Sequence, residues 1–221
     1  MKIGLLALAR STFDTDYANK KLDQCRQFLD STGHTIVGKG KLLLDEVDVS
    51  EEVSFLKQEV FDFILILQVT FTDSSTVLKV ANTFDQPIGI WAFPEPRLGG
   101  RLRLNAFCGL NLASHSLGLN GLSFSWIYKD PKTISSAKFN EFIDQKNVKK
   151  NLKAREFPKT SSKKAKFIKD KISKFKIAKI GNHPEGFDTC KFNQEKLSEF
   201  CGIKVDELEI KNFLGAAKKI K

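Results

Sequence analysis

The sequence predicts an α/β protein built on an open parallel sheet with helices on both faces. Strand and helix signals alternate five times within the first 130 residues. Two of the predicted strands, Phe61–Val69 and Ile88–Trp91, are almost continuously apolar, as expected for strands that are covered on both faces. Repeated βα units of this kind form doubly wound sheets of the flavodoxin or Rossmann type.

The elements of this first region follow one another in the expected order. The predicted strands are Lys2–Leu8, His34–Leu44, Phe61–Val69, Ile88–Trp91 and Leu122–Tyr128. The predicted helices are Tyr17–Leu29, a helix that starts at Ser50, Ser74–Phe84 and Asn105–Leu119. Each strand is followed by a helix or by the loop that leads to one, so the strands are expected to pair in parallel.

Short local signals set the boundaries of these helices. Leu22 and Leu29 recur at helical spacing on one face of the first helix. Ser50 is a residue type that caps helix starts, and apolar residues follow it at helical spacing. Gln86-Pro87 and Asn120-Gly121 are typical of the residues that end a helix, which places the ends of the third and fourth helices.

A second region begins after a connector. Residues 131–175 show no strand signal, and we interpret them as a lysine-rich connector followed by a helix that ends near Phe175. The elements predicted beyond it are strands Lys176–Ile180 and Ile203–Leu208 and helices Gln194–Phe200 and Ile210–Lys219. Two strands make a poor independent sheet. We therefore divide the chain into 1–130, 131–175 and 176–221, and expect the last part to be the beginning of a truncated second α/β domain.

The charge of the chain is unevenly distributed. The 221 residues carry a net charge of +10. Residues 1–130 hold 13 Lys/Arg and 15 Asp/Glu, whereas residues 131–221 hold 23 and 11. The excess is concentrated in Lys146–Lys179, a pattern that nucleic-acid-binding proteins also show. However, Phe167, Ile168, Ile172 and Phe175 recur there at helical spacing, which favours a core stripe on a helix with solvated lysines. A nucleic-acid partner is therefore disfavoured.

Composition and short motifs also indicate the cellular compartment of the protein. The 41% share of hydrophobic residues suits a folded chain of one large or two small domains. No apolar run approaches the roughly 18 residues that a membrane span needs. The apolar part of the N-terminus is too short for a secretion signal. The cysteines Cys25, Cys108, Cys190 and Cys201 show no disulfide spacing. We expect a reduced, cytoplasmic protein without a membrane partner.

The loops that follow the strands are the places to look for a ligand site. Open parallel sheets bind ligands at the carboxyl ends of their strands, which directs attention to loops Ala9–Asp16, Val69–Ser75 and Ala92–Asn105. Arg10 directly follows the first strand, and its guanidinium suits an oxygen-rich ligand. A surface ion pair with Asp14 or Asp16 is an equally weighted alternative.

Common catalytic and metal motifs are missing from the sequence. It contains no P-loop, GxGxxG, HExxH or GxSxG pattern. The loop Pro94–Arg101 is basic and glycine-rich but lacks the Lys-Ser/Thr end of a P-loop. His183 has Asp188 and Cys190 nearby without a fourth ligand at a recognised spacing.

One stretch resembles a known family of sugar isomerases. Ile90–His115 is similar to the N-terminal region of L-fucose isomerase and of the related L-arabinose isomerase-like proteins. The matching residues are a strand that ends near Trp91, a loop with Glu95, Arg97 and Gly99-Gly100, and a helix with the pattern Asn-x-x-Cys-Gly-x-Asn-x-x-x-His, here Asn105, Cys108, Gly109, Asn111 and His115. Arg10 and the segment Gly186–Cys190 also resemble the family.

The resemblance implies a function and a set of site residues. The chain is expected to be the N-terminal portion of a ketol isomerase that interconverts an aldose and a ketose through an enediol. In the family, Arg10 matches a residue that touches the sugar, and Phe71 stands where fucose isomerases have a tryptophan that packs on it. This departure leaves the sugar open, including sulfonated and deoxy sugars. Glu95 and Arg97 are expected to order the loop at a subunit boundary.

The same resemblance implies a cofactor and an assembly. Family members use a divalent cation, usually Mn²⁺, whose ligands lie in the second half of a chain about twice as long, so none is assigned here and no catalytic residue is assigned either. Members form homo-oligomers in which the first domain closes over a neighbouring active site. We therefore expect the isolated chain to be inactive. The alternatives are a non-catalytic module that binds a sugar or an anionic metabolite, and a nucleic-acid binder that uses Lys146–Lys179.

Overall fold

The computed structural model describes residues 1–145 and 161–220. The chain divides into two compact units, residues 1–152 and residues 153–221. Within the described ranges, no helix is both long enough and apolar enough to cross a membrane.

The first unit contains the predicted parallel sheet. Its strands are β1 (Lys2–Leu8), β2 (Thr35–Val37), β3 (Leu42–Leu43), β4 (Phe63–Gln68), β5 (Ile88–Ala92) and β6 (Ser125–Tyr128). They pair in the order β2-β1-β4-β5-β6, β3 pairs with the end of β1, and every pairing is parallel. All six residues of β4 are buried, as expected for a strand in the middle of a sheet that is covered on both faces. The predicted fold class is confirmed.

Helices lie between strands of this sheet, and one more follows its last strand. They are α1 (Thr15–Asp30), α2 (Glu46–Leu56), α3 (Ser75–Thr83), α4 (Ala106–Leu119) and α5 (Ser136–Ile143). The apolar positions of α1 that the sequence spacing identified, Leu22 and Leu29, are buried in the core. The amphipathic pattern therefore faces the sheet, and burial of these side chains is what holds the helix against it.

Two local predictions are wrong in detail. The extended stretch His34–Leu44 is two short strands, because Gly38 and Gly40 between them have φ values of 149° and 65°, which a regular strand does not allow. Helix α2 starts one turn before Ser50. Asp45 caps it by accepting a hydrogen bond from the Asp48 amide at 2.9 Å, and Ser50 lies inside the helix.

Helix α5 extends the first unit beyond the boundary predicted at residue 130. Phe139 and Phe142 of this helix are buried. A Cβ at Gly89 would lie 2.6 Å from the Phe142 ring, so the glycine in β5 makes room for that ring. The Phe139 ring lies 5.7 Å from the ring of Trp91. These contacts place residues 136–143 in the core of the first unit and not in the connector.

The second unit is built on a two-stranded parallel sheet. Its elements are α6 (Ser162–Ile172), β7 (Lys176–Ile180), a short 3₁₀ helix (Asp188–Cys190), α7 (Gln194–Cys201), β8 (Lys204–Leu208) and α8 (Ile210–Ala217). Strands β7 and β8 pair with Ile177 opposite Val205. These boundaries agree closely with the predicted strands and helices of this region.

The predicted apolar stripe on α6 is not a core in the second unit. Phe167 and Phe175 are each 61% exposed, and Ile168 is 54% exposed. Val205 is the one buried apolar residue among residues 161–220. Among residues 161–220, the two strands and the short helices leave these side chains uncovered. The lysine-rich stretch predicted to be a solvated face falls partly on residues 146–160, outside the described residues.

We predict a large difference in amide protection between the two units. Backbone amides exchange slowly where apolar burial opposes local opening. In native-state hydrogen exchange of the full chain, amides of β1, β4 and β5 should be protected far more strongly than those of β7 and β8. Equal protection of the two sheets would contradict the low apolar burial in residues 161–220.

Candidate functional site

The candidate site lies where the order of the strands reverses. From β1 the chain moves outward to β2 on one side, whereas from β4 it moves to β5 and β6 on the other. Because β1 and β4 are neighbours, the loops that follow them diverge at the carboxyl edge of the sheet, and open α/β sheets bind ligands in the crevice at such a point. Arg10 follows β1 and Phe71 follows β4, so these two of the four predicted site residues lie at this edge.

Arg10 is held by the loop after β4. Its backbone amide donates to the Thr70 hydroxyl at 2.9 Å, and its guanidinium forms an ion pair with Asp73. The alternative pairing of Arg10 with Asp14 or Asp16 is therefore wrong. The side chain remains 38% exposed, so the guanidinium is oriented by Asp73 and still reachable from solvent.

Phe71 packs beside Arg10 in the same crevice. The guanidinium carbon of Arg10 lies 6.0 Å from the centre of the Phe71 ring, and the Phe13 ring lies 6.2 Å away on the loop after β1. The Phe71 amide donates to the Leu104 carbonyl at 2.8 Å, which ties this loop to the loop after β5. An apolar ring beside a fork of N–H donors is suited to a ligand with both an apolar face and oxygen acceptors.

Glu95 organises the loop that leads from β5 to α4. One carboxylate oxygen accepts from the Arg103 amide at 2.5 Å, and the other accepts from the amides of Leu104 at 3.0 Å and Asn105 at 2.8 Å. These bonds satisfy three consecutive N–H groups at the approach to α4. Arg97 in the same loop is exposed and forms no ion pair with any residue in the described ranges. A sugar contact or a subunit contact of either residue stays a prediction.

Two further arginines join the loop after β5 to the loop after β1. The Arg103 Nε lies 2.7 Å from the Asp14 carboxylate, and its guanidinium lies 3.9 Å from the centre of the Tyr17 ring. Arg101 donates to the Thr12 carbonyl at 3.0 Å. The pKa of the Asp14 carboxyl lies below its ordinary value because the Tyr17 amide and the Arg103 guanidinium both donate to it.

These arginines and their partners were not identified from the sequence. The one available signal was the pattern Arg101-Leu102-Arg103 directly after Gly99-Gly100 in a loop already assigned to the ligand edge. Asp73 lay in another of the loops selected for inspection, but its pairing with Arg10 spans 63 positions. Contacts between loops over such separations leave no periodic trace in the sequence.

A buried glutamine shapes the loop that carries Phe71. Gln68, the last residue of β4, is fully buried, and its Nε2 donates to the Thr70 carbonyl at 2.7 Å and to the Thr72 hydroxyl at 2.8 Å. A Cβ at Gly109 of α4 would lie 2.7 Å from that nitrogen. The glycine in the Cys-Gly pattern therefore leaves the space that the Gln68 amide occupies.

The described residues do not form a metal site. Within residues 1–145 and 161–220, no three His, Cys, Asp or Glu side chains are grouped closely enough to hold a metal ion. This includes the trio of His183, Asp188 and Cys190, whose sequence spacing was only weakly suggestive. The carboxylates that lie at the crevice are each engaged by arginine or by backbone amides, as described above. The Mn²⁺ expected for the longer family members therefore has no set of ligands in this part of the chain.

The fold defines a doubly wound α/β domain whose candidate site lies at the strand-order reversal, where Arg10 and Phe71 are neighbours. The family model described as fucose/sulfoquinovose isomerase, N-terminal domain, matches residues 4–153. The chain therefore belongs to this family, and the resemblance that the sequence showed is confirmed.

Curated relatives of the chain are sulfoquinovose isomerases. The protein of that name from Priestia aryabhattai is 25% identical over 203 residues, which cover 92% of this chain and 41% of the relative. The one from Alkalicoccus urumqiensis is 25% identical over 215 residues, or 97% of this chain and 44% of the relative. The chain thus spans less than half the length of these relatives and corresponds to their N-terminal part.

We predict that Gly109→Ala destabilises the first unit. The added methyl group would overlap the buried Gln68 amide, and overpacking of this kind costs about 1–3 kcal/mol, more than the roughly 1 kcal/mol that alanine gains over glycine in a helix. The unfolding temperature, followed by fluorescence of Trp91 and Trp126, should fall.

A matched control is available in the second unit. Gly215 also lies in a helix, but nothing is within 4 Å of a Cβ at that position. Gly215→Ala should leave the tryptophan-detected transition unchanged. An unchanged transition in Gly109→Ala would contradict the tight packing of Gln68 against α4.

Proposed function

We propose that the chain is the substrate-binding N-terminal portion of an aldose–ketose isomerase whose substrate is sulfoquinovose or a closely related sugar. Membership of the fucose/sulfoquinovose isomerase family supports the reaction class. The names of the relatives from Priestia and Alkalicoccus support the sugar. The observation that carries the proposal is the placement of Arg10 beside Phe71, at 6.0 Å, in the crevice at the strand-order reversal.

The two residues have complementary parts in binding. The Arg10 guanidinium, oriented by Asp73, donates hydrogen bonds to sugar oxygens, which are good acceptors for its planar fork. The Phe71 ring packs on the apolar C–H face of the sugar and excludes water from those hydrogen bonds. Glu95 keeps the neighbouring loop in place through the amides of residues 103–105, so that the wall of the crevice is formed before the sugar arrives.

The chemical step belongs to a part of the longer family members that this chain does not cover. Conversion of an aldose to a ketose moves hydrogen between C1 and C2 through an enediol, which requires a base and polarisation of the substrate oxygens. The divalent cation of the family, proposed to be Mn²⁺, would supply that polarisation. Because the described residues do not fit a metal site, no step is assigned to them, and we expect the chain alone to bind sugar without turning it over.

The assembly, the ligand and the location of the protein are proposed from the same family membership. We propose that the first unit closes over an active site in a homo-oligomer, with sugar as the small-molecule ligand, in the cytoplasm. A non-catalytic sugar-binding module is the second candidate, favoured by the same crevice and by the absence of a metal site within the described residues. An assay of the chain with Mn²⁺ and aldoses distinguishes a binding part from a self-sufficient enzyme: turnover would contradict the proposal.

We predict that sugar binding depends on Arg10 and Phe71. Calorimetric titration of the full chain with sulfoquinovose should give saturable binding. Loss of a charged hydrogen bond costs about 1.5–3 kcal/mol, so Arg10→Ala should weaken binding by roughly 10- to 100-fold. Phe71→Ala should weaken it to a similar extent, whereas Phe71→Trp should retain it because an aromatic face remains.

The control is an arginine whose hydrogen bond is to a loop other than those after β1, β4 and β5. Arg26 lies on α1 and donates to the Gly40 carbonyl, which is not part of the crevice. Arg26→Ala should leave binding unchanged. Equal binding by the parent chain and Arg10→Ala would contradict the assigned role of Arg10, and the absence of any saturable sugar binding would contradict the proposed function.

A further inference from the structure

A second cleft adjoins the Arg10–Phe71 crevice on the loop after β1. It encloses about 270 Å³. The residues that line it are Thr12, Phe13, Asp14, Arg101, Leu102 and Arg103. Phe13 borders both spaces, because its ring also contacts Phe71. Phe13 therefore links the ring of Phe71 to the residues that line this cleft.

The cleft carries one positive charge that no carboxylate balances. Arg10 is paired with Asp73, and Arg103 is paired with Asp14. Arg101 forms no ion pair with any carboxylate in the part of the chain that the structure describes. It is nevertheless held in place, because its guanidinium donates to the Thr12 carbonyl at 3.0 Å. A single anchored donor keeps its remaining N–H groups available to a ligand.

The loop around Arg101 is built to hold it at the cleft. The amide of Asp14 donates to the Arg103 carbonyl at 3.1 Å, and Glu95 binds the amides of Arg103 and Leu104. Gly99 and Gly100, with φ values of 71° and 74° and no atoms within 4 Å of a Cβ, keep the preceding turn free of side chains. The guanidinium is thus positioned by backbone contacts and reachable from solvent.

We propose that Arg101 forms an anion subsite that binds the tetrahedral oxyanion of the sugar, a sulfonate or a phosphate ester. This inference rests on the proposed function, because it assigns one substituent of the sugar that Arg10 and Phe71 hold. Arginine binds such groups through two parallel N–H···O bonds. A sulfonate carries one negative charge and matches the single unbalanced arginine, so sulfonate is the favoured source and a phosphate ester is the competing one.

The test compares sugars that differ only in the substituent. The full chain is titrated with sulfoquinovose, with quinovose, which has the same ring without the sulfonate, and with glucose 6-phosphate. Sulfoquinovose should bind at least 10-fold more tightly than quinovose. Arg101→Gln should remove that difference and leave quinovose binding unchanged. Tighter binding of glucose 6-phosphate than of sulfoquinovose would overturn the assignment to sulfonate.

Control variants distinguish anion binding by Arg101 from a purely structural role of this residue. Arg101→Lys keeps the charge and should retain part of the preference, whereas Arg26→Gln should retain all of it; circular dichroism confirms that each variant is folded. If Arg101→Gln weakens both sugars equally, or if the parent chain binds quinovose as tightly as sulfoquinovose, the subsite is overturned while the proposed function stands. If neither sugar binds, both are overturned.

Discussion

The site depends on the parallel pairing of β1 with β4. These strands lie side by side from Ile3 opposite Phe63 to Leu8 opposite Gln68, yet the chain leaves them in opposite directions. That divergence opens the crevice, and the burial of both strands fixes its floor. Because Leu8 lies opposite Gln68, this register sets where Arg10 and Phe71 emerge, two and three residues beyond the last paired positions.

Contacts between loops turn this edge into a defined surface. The loop after β4 is fixed by hydrogen bonds to the Gln68 side chain and to the Leu104 carbonyl. The same loop binds Arg10 through Thr70 and Asp73. The loop after β5 is held by Glu95. Such interlocking is what a binding site needs, because side chains that are oriented before the ligand arrives lose less conformational entropy on binding. The described residues of the second unit show no comparable burial.

The sequence predicted the parallel sheet and the position of Arg10 and Phe71 at its carboxyl edge, whereas the binding role of these two residues stays a prediction. The sheet and this placement could be predicted because they rest on local signals: β1 and β4 are apolar runs between polar loops, and Arg10 closely follows a strand. The ion pairs of Arg10 with Asp73 and Arg103 with Asp14 were missed, because they join residues 63 and 89 positions apart. Helix α5 was not predicted, because its phenylalanines are buried only in the folded sheet, where Gly89 leaves room for the Phe142 ring. The apolar stripe on α6 was wrongly predicted to be part of a core. Helical spacing shows which residues share a face of the helix, but it does not show whether another layer covers that face.

The central claim is that a sugar binds across the loops after β1, β4 and β5 of the first unit. The most direct test is a map of backbone amide chemical shifts in the full chain during titration with sulfoquinovose. The account predicts that the perturbed amides cluster in residues 10–14, 70–75 and 101–105, and that those of β7 and β8 do not move. Saturable shifts centred on the second unit, or on the opposite edge of the first sheet, would contradict it.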